Sequence, residues 1–396
     1  MKKTDLCIIG GAGHVGLPLG VAFANSDVKT VLFDINKPWL EKIDSGSFPF
    51  KEENGDAALR KALKKKTLTT SMDAASISSS KAVLLVIGTP VDEHLNPDWN
   101  TLLTLVTNYL PYFRDGQLLI LRSTVYPGTS ERLQKLFRKE KKNIKVAFCP
   151  ERIVQGYSLR ELREFPQIVS AFDADTVKKV TALFRKISPS VVVAVSPIEA
   201  ELAKLFSNSW RYIKFAVANQ FYMIADQYGL DYHQIHAAMT KDYPRNSDLP
   251  RPGFAAGPCL FKDTMQLAAF NDNKFFLGHA AMLINEGMPN YVIDKLKRQT
   301  KGAPIKTIGI LGMAFKAESD DGRSSLSFKL RKIAEAHADD VLCHDTYMEH
   351  PSHSKKDDLI KRSDVIILAT PHNEYRSIQP SRYPKKIFID IWNFWD

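Results

Sequence analysis

Short apolar runs alternate with amphipathic stretches along most of the chain. Runs of four to six apolar residues are typical of buried parallel strands, and the amphipathic stretches between them are typical of helices. In the first half of the chain these runs lie at 6–9, 29–33, 82–87, 117–121, 144–148 and 191–195. The alternation predicts a doubly wound, Rossmann-like α/β domain with a parallel sheet.

The pattern changes to a long helix near residue 196. Ser196 and Glu199 form a capping box, with a proline at the first helical position. The helical pattern then continues to Tyr228, and Gly229 ends it. At 1.5 Å per residue this helix would be roughly 45 Å long. Because apolar residues occupy most of its faces, we expect it to be buried between domains or in a homodimer.

Alternation of strands and helices returns near the C-terminus. Helical patterns near 274–286 and 290–299 are followed by strand-like runs and one further helix, at 306–312, 325–337, 341–343, 365–369 and 387–390. This order predicts a second, smaller Rossmann-like domain. The sequence thus predicts three domains: 1–196 with a dinucleotide site, 197–300 helical and central, and 301–396 Rossmann-like.

The segment from residue 6 to Asp34 has the spacing of a dinucleotide-binding loop. A Gly-x-Gly-x-x-Gly motif follows the first apolar run and opens a helical pattern, and the second run ends in Asp34. We expect Gly11 to make the turn and Gly13 to admit the pyrophosphate, which the helix N-terminus would bind. A carboxylate at Asp34 can accept from both ribose hydroxyls and would repel a 2′-phosphate, so the prediction is NAD. The predicted contacts in this segment are Gly11, Gly13, His14, Val15, Gly16 and Asp34.

Three polar residues follow later apolar runs of the first domain. They are Thr89, Thr124 and Glu151. The carboxyl ends of parallel strands meet at one edge of a sheet, so these side chains are candidates to line one crevice. Each residue taken singly is also typical of a helix cap or a turn.

Composition and charge indicate which class of ligand the protein binds and in which cellular compartment it is expected. The 54 basic and 44 acidic residues give a net charge of +10. The basic residues are scattered and lack interleaved aromatics, and anionic small molecules explain the excess as well as nucleic acid does, so no nucleic-acid partner is predicted. No apolar run has the length of a membrane span, and no signal peptide is evident at the N-terminus, so the cytoplasm is the expected location.

The four cysteines are Cys7, Cys149, Cys259 and Cys343. Their wide spacing argues against a disulfide framework and against a structural zinc site, so no metal is predicted. Cys259 differs from the others because it follows a Gly/Ala/Pro-rich stretch and precedes Lys262 and Asp263. A nearby cation favours thiolate and a nearby carboxylate can move protons, which suits a covalent nucleophile. The alternative is a buried structural cysteine beside a surface ion pair.

Lys204 and Asn208 lie four residues apart on the predicted long helix. They therefore share a face. Either both side chains reach solvent or the helix presents them to polar partners.

Taken together, the motifs resemble the UDP-glucose/GDP-mannose dehydrogenase family. The resemblance rests on Gly11-x-Gly13-x-x-Gly16, Gly88-Thr-Pro, Ser123-Thr-Val, Pro150-Glu-Arg, Glu201-x-x-Lys204-x-x-x-Asn208, Gly257-x-Cys259-x-x-Lys262-Asp263, Gly312-x-x-Phe315-Lys316 and Asp321-x-Arg323-x-Ser325. It covers essentially the whole chain. It implies oxidation of a sugar C6 alcohol to a carboxylate by two NAD⁺, through a covalent cysteine intermediate.

The resemblance also implies roles for individual residues. Cys259 looks like the nucleophile that forms a thiohemiacetal and then a thioester, and Lys204 and Asn208 resemble the oxyanion-stabilising pair. Asp263, Glu151 and Thr124 match groups that handle protons and water. The positions matching the NAD side are Thr89, Thr124, Lys262 and Arg323, and those matching the substrate are Glu151, Arg152, Ile153, Lys204, Asn208, Arg251, Gly253, Phe254, Gly257 and Lys316.

Three positions depart from common family patterns. They are Ala256 before Gly257, Phe261 two residues after the cysteine, and Gln155 where a glutamate is frequent. The first two leave the sugar open, with UDP-glucose ranked first, a UDP-N-acetylhexosamine (ManNAc or GlcNAc) second and GDP-mannose third. The third concerns cofactor contacts more than the chemistry. Two other classes stay as alternatives: an NAD-linked dehydrogenase of 2-hydroxy acids, and a non-enzymatic NAD- or nucleic-acid-binding protein. Neither accounts for both Cys259 and the last domain.

Overall fold

The computed structural model describes residues 3–88, 99–194 and 196–395. The chain divides into two compact units, Met1–Ser207 and Asn208–Asp396. Helices flank a sheet in each unit, parallel throughout in the second unit and parallel except for one strand pair in the first, so the predicted α/β class with two Rossmann-like sheets is confirmed.

The first unit is built on an eight-stranded sheet. Its strands are β1 Thr4–Ile9, β2 Thr30–Phe33, β3 Leu68–Ser71, β4 Ser80–Leu85, β5 Leu118–Leu121, β6 Lys145–Phe148, β7 Gln167–Ala171 and β8 Val191–Val193. The order is β3-β2-β1-β4-β5-β6-β7-β8. Strands β6 and β7 pair antiparallel, and the other neighbouring pairs are parallel. The first six strands follow the order of a dinucleotide-binding fold.

Alternate residues of the central strands enter two separate cores. Leu6 and Ile8 of β1 pack into one cluster, and Cys7 and Ile9 pack into the other. Such two-sided burial explains why these strands read as continuous apolar runs. Helices on the two faces are α1 Gly16–Asn25, α2 Lys37–Asp44, α3 Gly55–Lys64, α4 Ala75–Ser78, α5 Trp99–Tyr109, α6 Thr129–Lys139, α7 Ser158–Glu164 and α8 Ala174–Phe184. Strands β3 and β7 were not predicted, because threonine, serine and glutamine interrupt their apolar pattern.

The unit boundary lies within helix α9, Pro197–Gln227. Its start agrees with the predicted capping box, because the Ser196 backbone N–H donates to a carboxylate oxygen of Glu199 at 2.7 Å. The 31-residue length agrees with the predicted long helix.

The second unit contains a four-stranded parallel sheet. Its strands are β9 Ile305–Leu311, β10 Ala338–His344, β11 Val365–Leu368 and β12 Ile387–Ile389, in the order β10-β9-β11-β12. Its further helices are α10 Tyr232–Thr240, α11 Leu260–Phe270, α12 Phe276–Thr300, α13 Leu326–Ala334 and α14 Lys356–Arg362. Short 3₁₀ turns occupy Leu110–Tyr112 in the first unit, and Pro244–Asn246, Asn373–Ser377 and Pro380–Arg382 in the second.

One helix prediction was wrong. The two helices expected near 274–286 and 290–299 are a single helix, α12, with Pro289 inside it. A proline removes one backbone donor and crowds the preceding turn, which is why the sequence suggested a break. The helix continues because Met288, Val292 and Ile293 around the proline are buried in the core of this unit. In the described part of the chain, no helix is long and apolar enough to cross a membrane.

Candidate active site

The glycine loop after β1 is shaped by close backbone contacts. The glycine with left-handed backbone is Gly10, at φ +78°, and not Gly11 as the motif suggested. Gly11 is required for a different reason: a Cβ there would lie 2.7 Å from the Leu32 Cα. A Cβ on Gly13 would meet only the Gly10 carbonyl, at 3.6 Å, so this face of the loop is open. An open backbone at this position fits the close approach of a pyrophosphate.

Asp34 fixes this loop from the end of the neighbouring strand. One carboxylate oxygen accepts from the Ala12 backbone N–H at 2.9 Å, and the other accepts from the Asn36 N–H at 3.0 Å. The carboxylate is half-buried and keeps lone pairs for further donors. Helix α1 begins directly after the loop, with Val15 at its N-cap. His14, also in the loop, stacks on Phe50 with ring centroids 4.1 Å apart. The chain's own residues therefore fit a dinucleotide here.

The ends of β4 and β5 are joined by Ser123. Its hydroxyl accepts from the Ile87 N–H at 2.8 Å and donates to the Ile87 carbonyl at 2.6 Å. Thr124 follows it and is half-buried. The predicted cofactor contact Thr89 lies outside the described residues. Ser123 therefore fixes the backbone that presents Thr124.

A fully buried arginine, Arg122, lies at the end of β5. Its Nε donates to Glu151 Oε2 at 2.8 Å, and its Nη2 is 2.7 Å from the same oxygen. Further donations reach the carbonyls of Cys149 and Pro150 and the Gln167 side chain, at 3.0, 3.1 and 2.7 Å. The planar guanidinium suits this many fixed acceptors. Arg122 thus joins β5, the segment after β6 and the start of β7.

The other oxygen of Glu151 is also occupied. Oε1 accepts from the backbone N–H groups of Arg152 and Ile153 at 2.7 and 3.0 Å. The carboxylate is therefore held in one orientation by donors from both sides. Burial, followed by repulsion from Arg122, lowers the pKa of Arg152, whose guanidinium donates to the Pro166 carbonyl. Glu151 was a predicted site residue and Arg122 was not; the signal for Arg122 was a charged residue directly after a buried apolar run.

Lys204 and Asn208 are buried, which excludes the solvent-exposed alternative. Their exposed fractions are 8% and 4%. The Asn208 amide donates to Asp263 Oδ2 at 2.5 Å. Asp263 is itself fully buried, and its other oxygen lies 3.1 Å from the Lys262 ammonium. Asn208, Lys262 and Asp263 therefore form one polar cluster in the second unit, at the start of α11.

Cys259 differs from the other cysteines in its environment. It is exposed and occupies the N-cap position of α11, whereas the other three are buried. Burial raises the pKa of Cys7 and Cys149 to about 12, and that of Cys343 to about 11. A thiol at a helix N-terminus near a cation is the arrangement that favours thiolate. The structure thus separates one accessible cysteine from three inert ones.

The stretch before Cys259 packs against the loops of the four-stranded sheet. The Gly257 N–H donates to the Ser324 carbonyl at 3.2 Å, and a Cβ on Gly257 would lie 2.5 Å from the Phe315 ring. Arg323 donates to both carboxylate oxygens of Asp321. The hydrogen bond to Asp321 raises the pKa of Arg323, and the Cys259 thiolate contributes in the same direction. Arg323 therefore places positive charge near Cys259.

The start of the same stretch is held by a buried asparagine of α9. Asn219 exchanges two hydrogen bonds with the Gly253 backbone, at 2.8 and 3.0 Å. A Cβ on Gly253 would lie 2.1 Å from the Trp392 ring, so no larger residue fits. Phe254 is buried and Arg251 is exposed. Asn219 was not among the predicted site residues, although an amide on a largely apolar helix is a signal that it needs a partner.

Lys316 lies in the loop after β9. The loop starts at Gly312, whose φ is +90°, and Lys316 itself is half-buried. This loop follows the carboxyl end of a parallel strand, which is the edge where an open α/β sheet places a ligand. Among the described residues, no group of three or more His, Cys, Asp or Glu could hold a metal ion.

Comparisons with known proteins bear on the whole chain. Profiles of the UDP-glucose/GDP-mannose dehydrogenase family match at residues 4–188 (NAD binding domain), 198–286 (central domain) and 309–396 (UDP binding domain). A UDP-N-acetyl-D-mannosamine dehydrogenase of Pyrococcus horikoshii is 29% identical, covering 96% of this chain and 93% of that protein.

Solved structures give the same result for the fold. The UDP-D-ManNAc dehydrogenase structure from Pyrococcus horikoshii superimposes with a TM-score of 0.91 at 26% identity, covering 98% of this chain and 96% of that one. A UDP-glucose dehydrogenase from Pyrobaculum islandicum has a TM-score of 0.87 at 24% identity, covering 98% of each chain, and shows the fold alone.

Proposed function

Because the chain belongs to the UDP-glucose/GDP-mannose dehydrogenase family, we propose that it oxidises the C6 alcohol of a UDP-N-acetylhexosamine to the carboxylate. The observation that carries the reaction is the accessible Cys259 at the N-terminus of α11, beside the buried cluster of Asn208, Lys262 and Asp263. The first candidate substrate is UDP-N-acetyl-D-mannosamine, since relatives over nearly full length carry that name. It replaces UDP-glucose, which the sequence motifs had ranked first.

The reaction removes four electrons from one carbon. When bound, NAD⁺ accepts one hydride in each of the two oxidations. After the alcohol has become an aldehyde, the Cys259 thiolate adds to the carbonyl carbon and forms a thiohemiacetal. The second oxidation converts this adduct into a thioester. Water then attacks the thioester, the carboxylate leaves and the thiolate is regenerated.

In this proposal, side chains that match catalytic positions of the family supply charge and proton transfer. Lys204 and Asn208 stabilise the developing oxyanion, and burial strengthens such donors because little water competes with them. Asp263, held between Asn208 and Lys262, exchanges protons with the reacting oxygen or with water. Glu151 and Thr124 order water, and the fixed orientation of the Glu151 carboxylate supports that role.

The two nucleotides are assigned to different sheets. NAD⁺ binds at the Gly11–Gly16 loop and Asp34, and Thr89, Lys262 and Arg323 match positions of the family on the cofactor side. The UDP group binds at the loop carrying Lys316. The stretch from Arg251 to Gly257 contacts the sugar, and Arg152 and Ile153 match substrate positions of the family.

An end-point assay tests the chemistry. With limiting UDP-N-acetyl-D-mannosamine and excess NAD⁺, we expect two NADH per sugar and no released aldehyde. Cys259→Ser should abolish the overall reaction, because a serine ester is hydrolysed far less readily than a thioester. Cys149→Ser, at a buried cysteine, is the matched control. One NADH per sugar, or an active Cys259→Ser variant, would remove Cys259 from the mechanism.

A substrate panel tests the choice of sugar. We expect kcat/KM to be highest for UDP-N-acetyl-D-mannosamine, with UDP-N-acetylglucosamine, UDP-glucose and GDP-mannose as the competitors. A higher kcat/KM for UDP-glucose would restore the ranking made from the motifs while leaving the cysteine chemistry intact.

We also propose that the enzyme is a homodimer through helix α9. Five large apolar residues spaced three, four or seven apart are each 37–57% exposed: Phe206, Trp210, Val217, Phe221 and Ile224. This is the spacing of a helix seam, and a monomer would leave it in water. Trp210→Glu should shift sedimentation from dimer to monomer, whereas Arg211→Glu on the adjacent face should not. An unchanged dimer in Trp210→Glu would contradict this interface.

A further inference from the structure

A buried carboxylate, that of Asp345, accepts hydrogen bonds from the start of the loop that carries Lys316. Asp345, 6% exposed, accepts from the backbone N–H groups of Met313 and Ala314 at 2.6 and 2.8 Å through Oδ2. Its Oδ1 accepts from the N–H groups of Tyr347 and Met348 at 2.8 and 2.9 Å. Burial by itself would raise the pKa of Asp345, but the hydrogen bond from His372 and these N–H donors hold it below its ordinary value.

A fully buried histidine, His372, connects this carboxylate to the far end of the loop. Its Nε2 lies 3.1 Å from Asp345 Oδ2, and its Nδ1 accepts from the Glu318 backbone N–H at 3.0 Å. Since Nδ1 accepts, the proton is on Nε2, which donates to Asp345. One Asp–His pair therefore contacts the loop on both sides of Lys316.

The end of the loop has a conformation that needs support. Glu318 has φ +57°, the left-handed region that a residue with a side chain seldom adopts. Its carboxylate accepts from the Tyr347 hydroxyl at 2.7 Å and from the Asn373 N–H at 2.8 Å. These contacts and the His372 bond together hold Glu318, so the loop between Gly312 and Glu318 has both ends fixed.

We propose that His372 and Asp345 are positioning residues for Lys316, holding its loop in the conformation that binds the diphosphate of the nucleotide sugar. The proposal rests on the proposed function, which assigns UDP to this loop. A lysine ammonium is a point charge on a flexible stem, so its contribution depends on where the backbone puts the stem. Each bond that orders the loop before binding removes part of the entropy cost that the ligand would otherwise meet.

Variants of His372 separate positioning from simple packing. Asparagine at position 372 places its amide near the position of Nδ1 and so keeps an acceptor for the Glu318 N–H. Glutamine places its amide near the position of Nε2 instead, and leucine has no polar group at either position. We expect His372→Leu to weaken UDP binding about 5- to 30-fold, as losing one or two ordering hydrogen bonds would, and His372→Gln to weaken it similarly. His372→Asn should retain most of the affinity. The Kd for NAD⁺ should be unchanged in all three.

The measurement is calorimetric titration of each folded variant with UDP and, separately, with NAD⁺. His353→Leu is the matched control, because its ring nitrogen bonds the Met348 carbonyl and not the Lys316 loop. Parental UDP affinity in a destabilised His372→Leu, or equal losses in the asparagine and glutamine variants, would make His372 a packing residue only and overturn the proposal. If His372→Leu does not fold, the asparagine–glutamine pair gives the answer. Failure of the proposed function looks different: the parent would not bind UDP, or Lys316→Ala would not weaken it.

Discussion

The two sheets of this enzyme each have an aspartate at the same position, but the two aspartates have different roles. In each, the second strand in sequence ends in an aspartate, Asp34 after β2 and Asp345 after β10. Each accepts backbone N–H groups from the loop that follows the first strand, at Ala12 in one unit and at Met313 and Ala314 in the other. The same topology therefore produces the same contact twice.

The difference lies in how many partners the carboxylate has. Asp34 accepts two backbone N–H groups and is half-buried, so it can still accept from ribose hydroxyls. Asp345 accepts from four backbone N–H groups and from His372 and is 6% exposed, so its lone pairs are used within the fold. A carboxylate at the end of the second strand can select a nucleotide only when the fold leaves some of its lone pairs without a donor.

The buried charge also differs in sign between the units. In the first unit the buried ion that joins strand ends is the cation Arg122, balanced by Glu151. In the second it is the anion Asp345, balanced by neutral donors. The first arrangement keeps the Glu151 carboxylate in one orientation, and the second keeps a loop in place.

The largest expected effect is on stability. Asp345→Asn places an amide where only acceptors fit, and we expect it to destabilise the second unit by about 3–5 kcal/mol. Asp34→Asn should cost less than about 1 kcal/mol. Thermal and urea unfolding of both variants measure this, and equal losses would remove the contrast between the aspartates.

The Asp345 contribution should depend on pH. Because its pKa is lowered in the folded state, its stabilisation is present above the unfolded value of 3.8 and is lost as the pH falls below it. The difference in unfolding free energy between parent and Asp345→Asn should therefore be largest at pH 7 and should decrease below about pH 4. If the difference in unfolding free energy between parent and Asp345→Asn instead widens on acidification, the ionised Asp345 carboxylate is not the stabilising group.

The next effect concerns the cation of the first unit. Arg122→Lys keeps the charge, but an ammonium cannot reach all the acceptors that the guanidinium contacts. We expect a loss of about 2 kcal/mol in unfolding free energy, together with a fall in kcat as Glu151 loses its orientation. Arg132→Lys, at a surface arginine on α6, is the control. A parental kcat in Arg122→Lys would show that this orientation is unimportant.

A smaller effect should separate the two nucleotide sites. Lys316→Ala removes one charged donor to a phosphate, so KM for the UDP-sugar should rise about 10-fold while KM for NAD⁺ changes little. Initial rates with each substrate varied in turn measure both constants. If KM for NAD⁺ rises instead, the assignment of UDP to the second sheet is wrong.

The smallest effect is on cofactor choice. Asp34→Ala should reduce the preference for NAD⁺ over NADP⁺ by about 10-fold, since it removes a charged acceptor and a repulsion to the 2′-phosphate. The control Asp44→Ala, on the exposed end of α2, should leave the preference unchanged. Equal kcat/KM for the two cofactors in the parent would exclude Asp34 as the selecting residue.

The sequence by itself determined what depends on local pattern. Buried runs predicted the central strands, the capping box predicted the start of α9, and spaced motifs identified the glycine loop, Asp34 and the Cys259 stretch. These features are readable because each arises from neighbours in the chain, through strand alternation, helix periodicity or turn chemistry.

Only the tertiary structure decided which distant residues share a hydrogen bond. Arg122 and Glu151 are 29 positions apart, and Asp345 and His372 are 27 apart, with no periodicity connecting either pair. A Cβ on Gly10 would lie 1.9 Å from the carbonyl oxygen of Val86, the residue directly after β4. Helix α12 continues through Pro289 because its surroundings are buried. Such features follow from strand order and packing, which bring together groups that local sequence treats as unrelated.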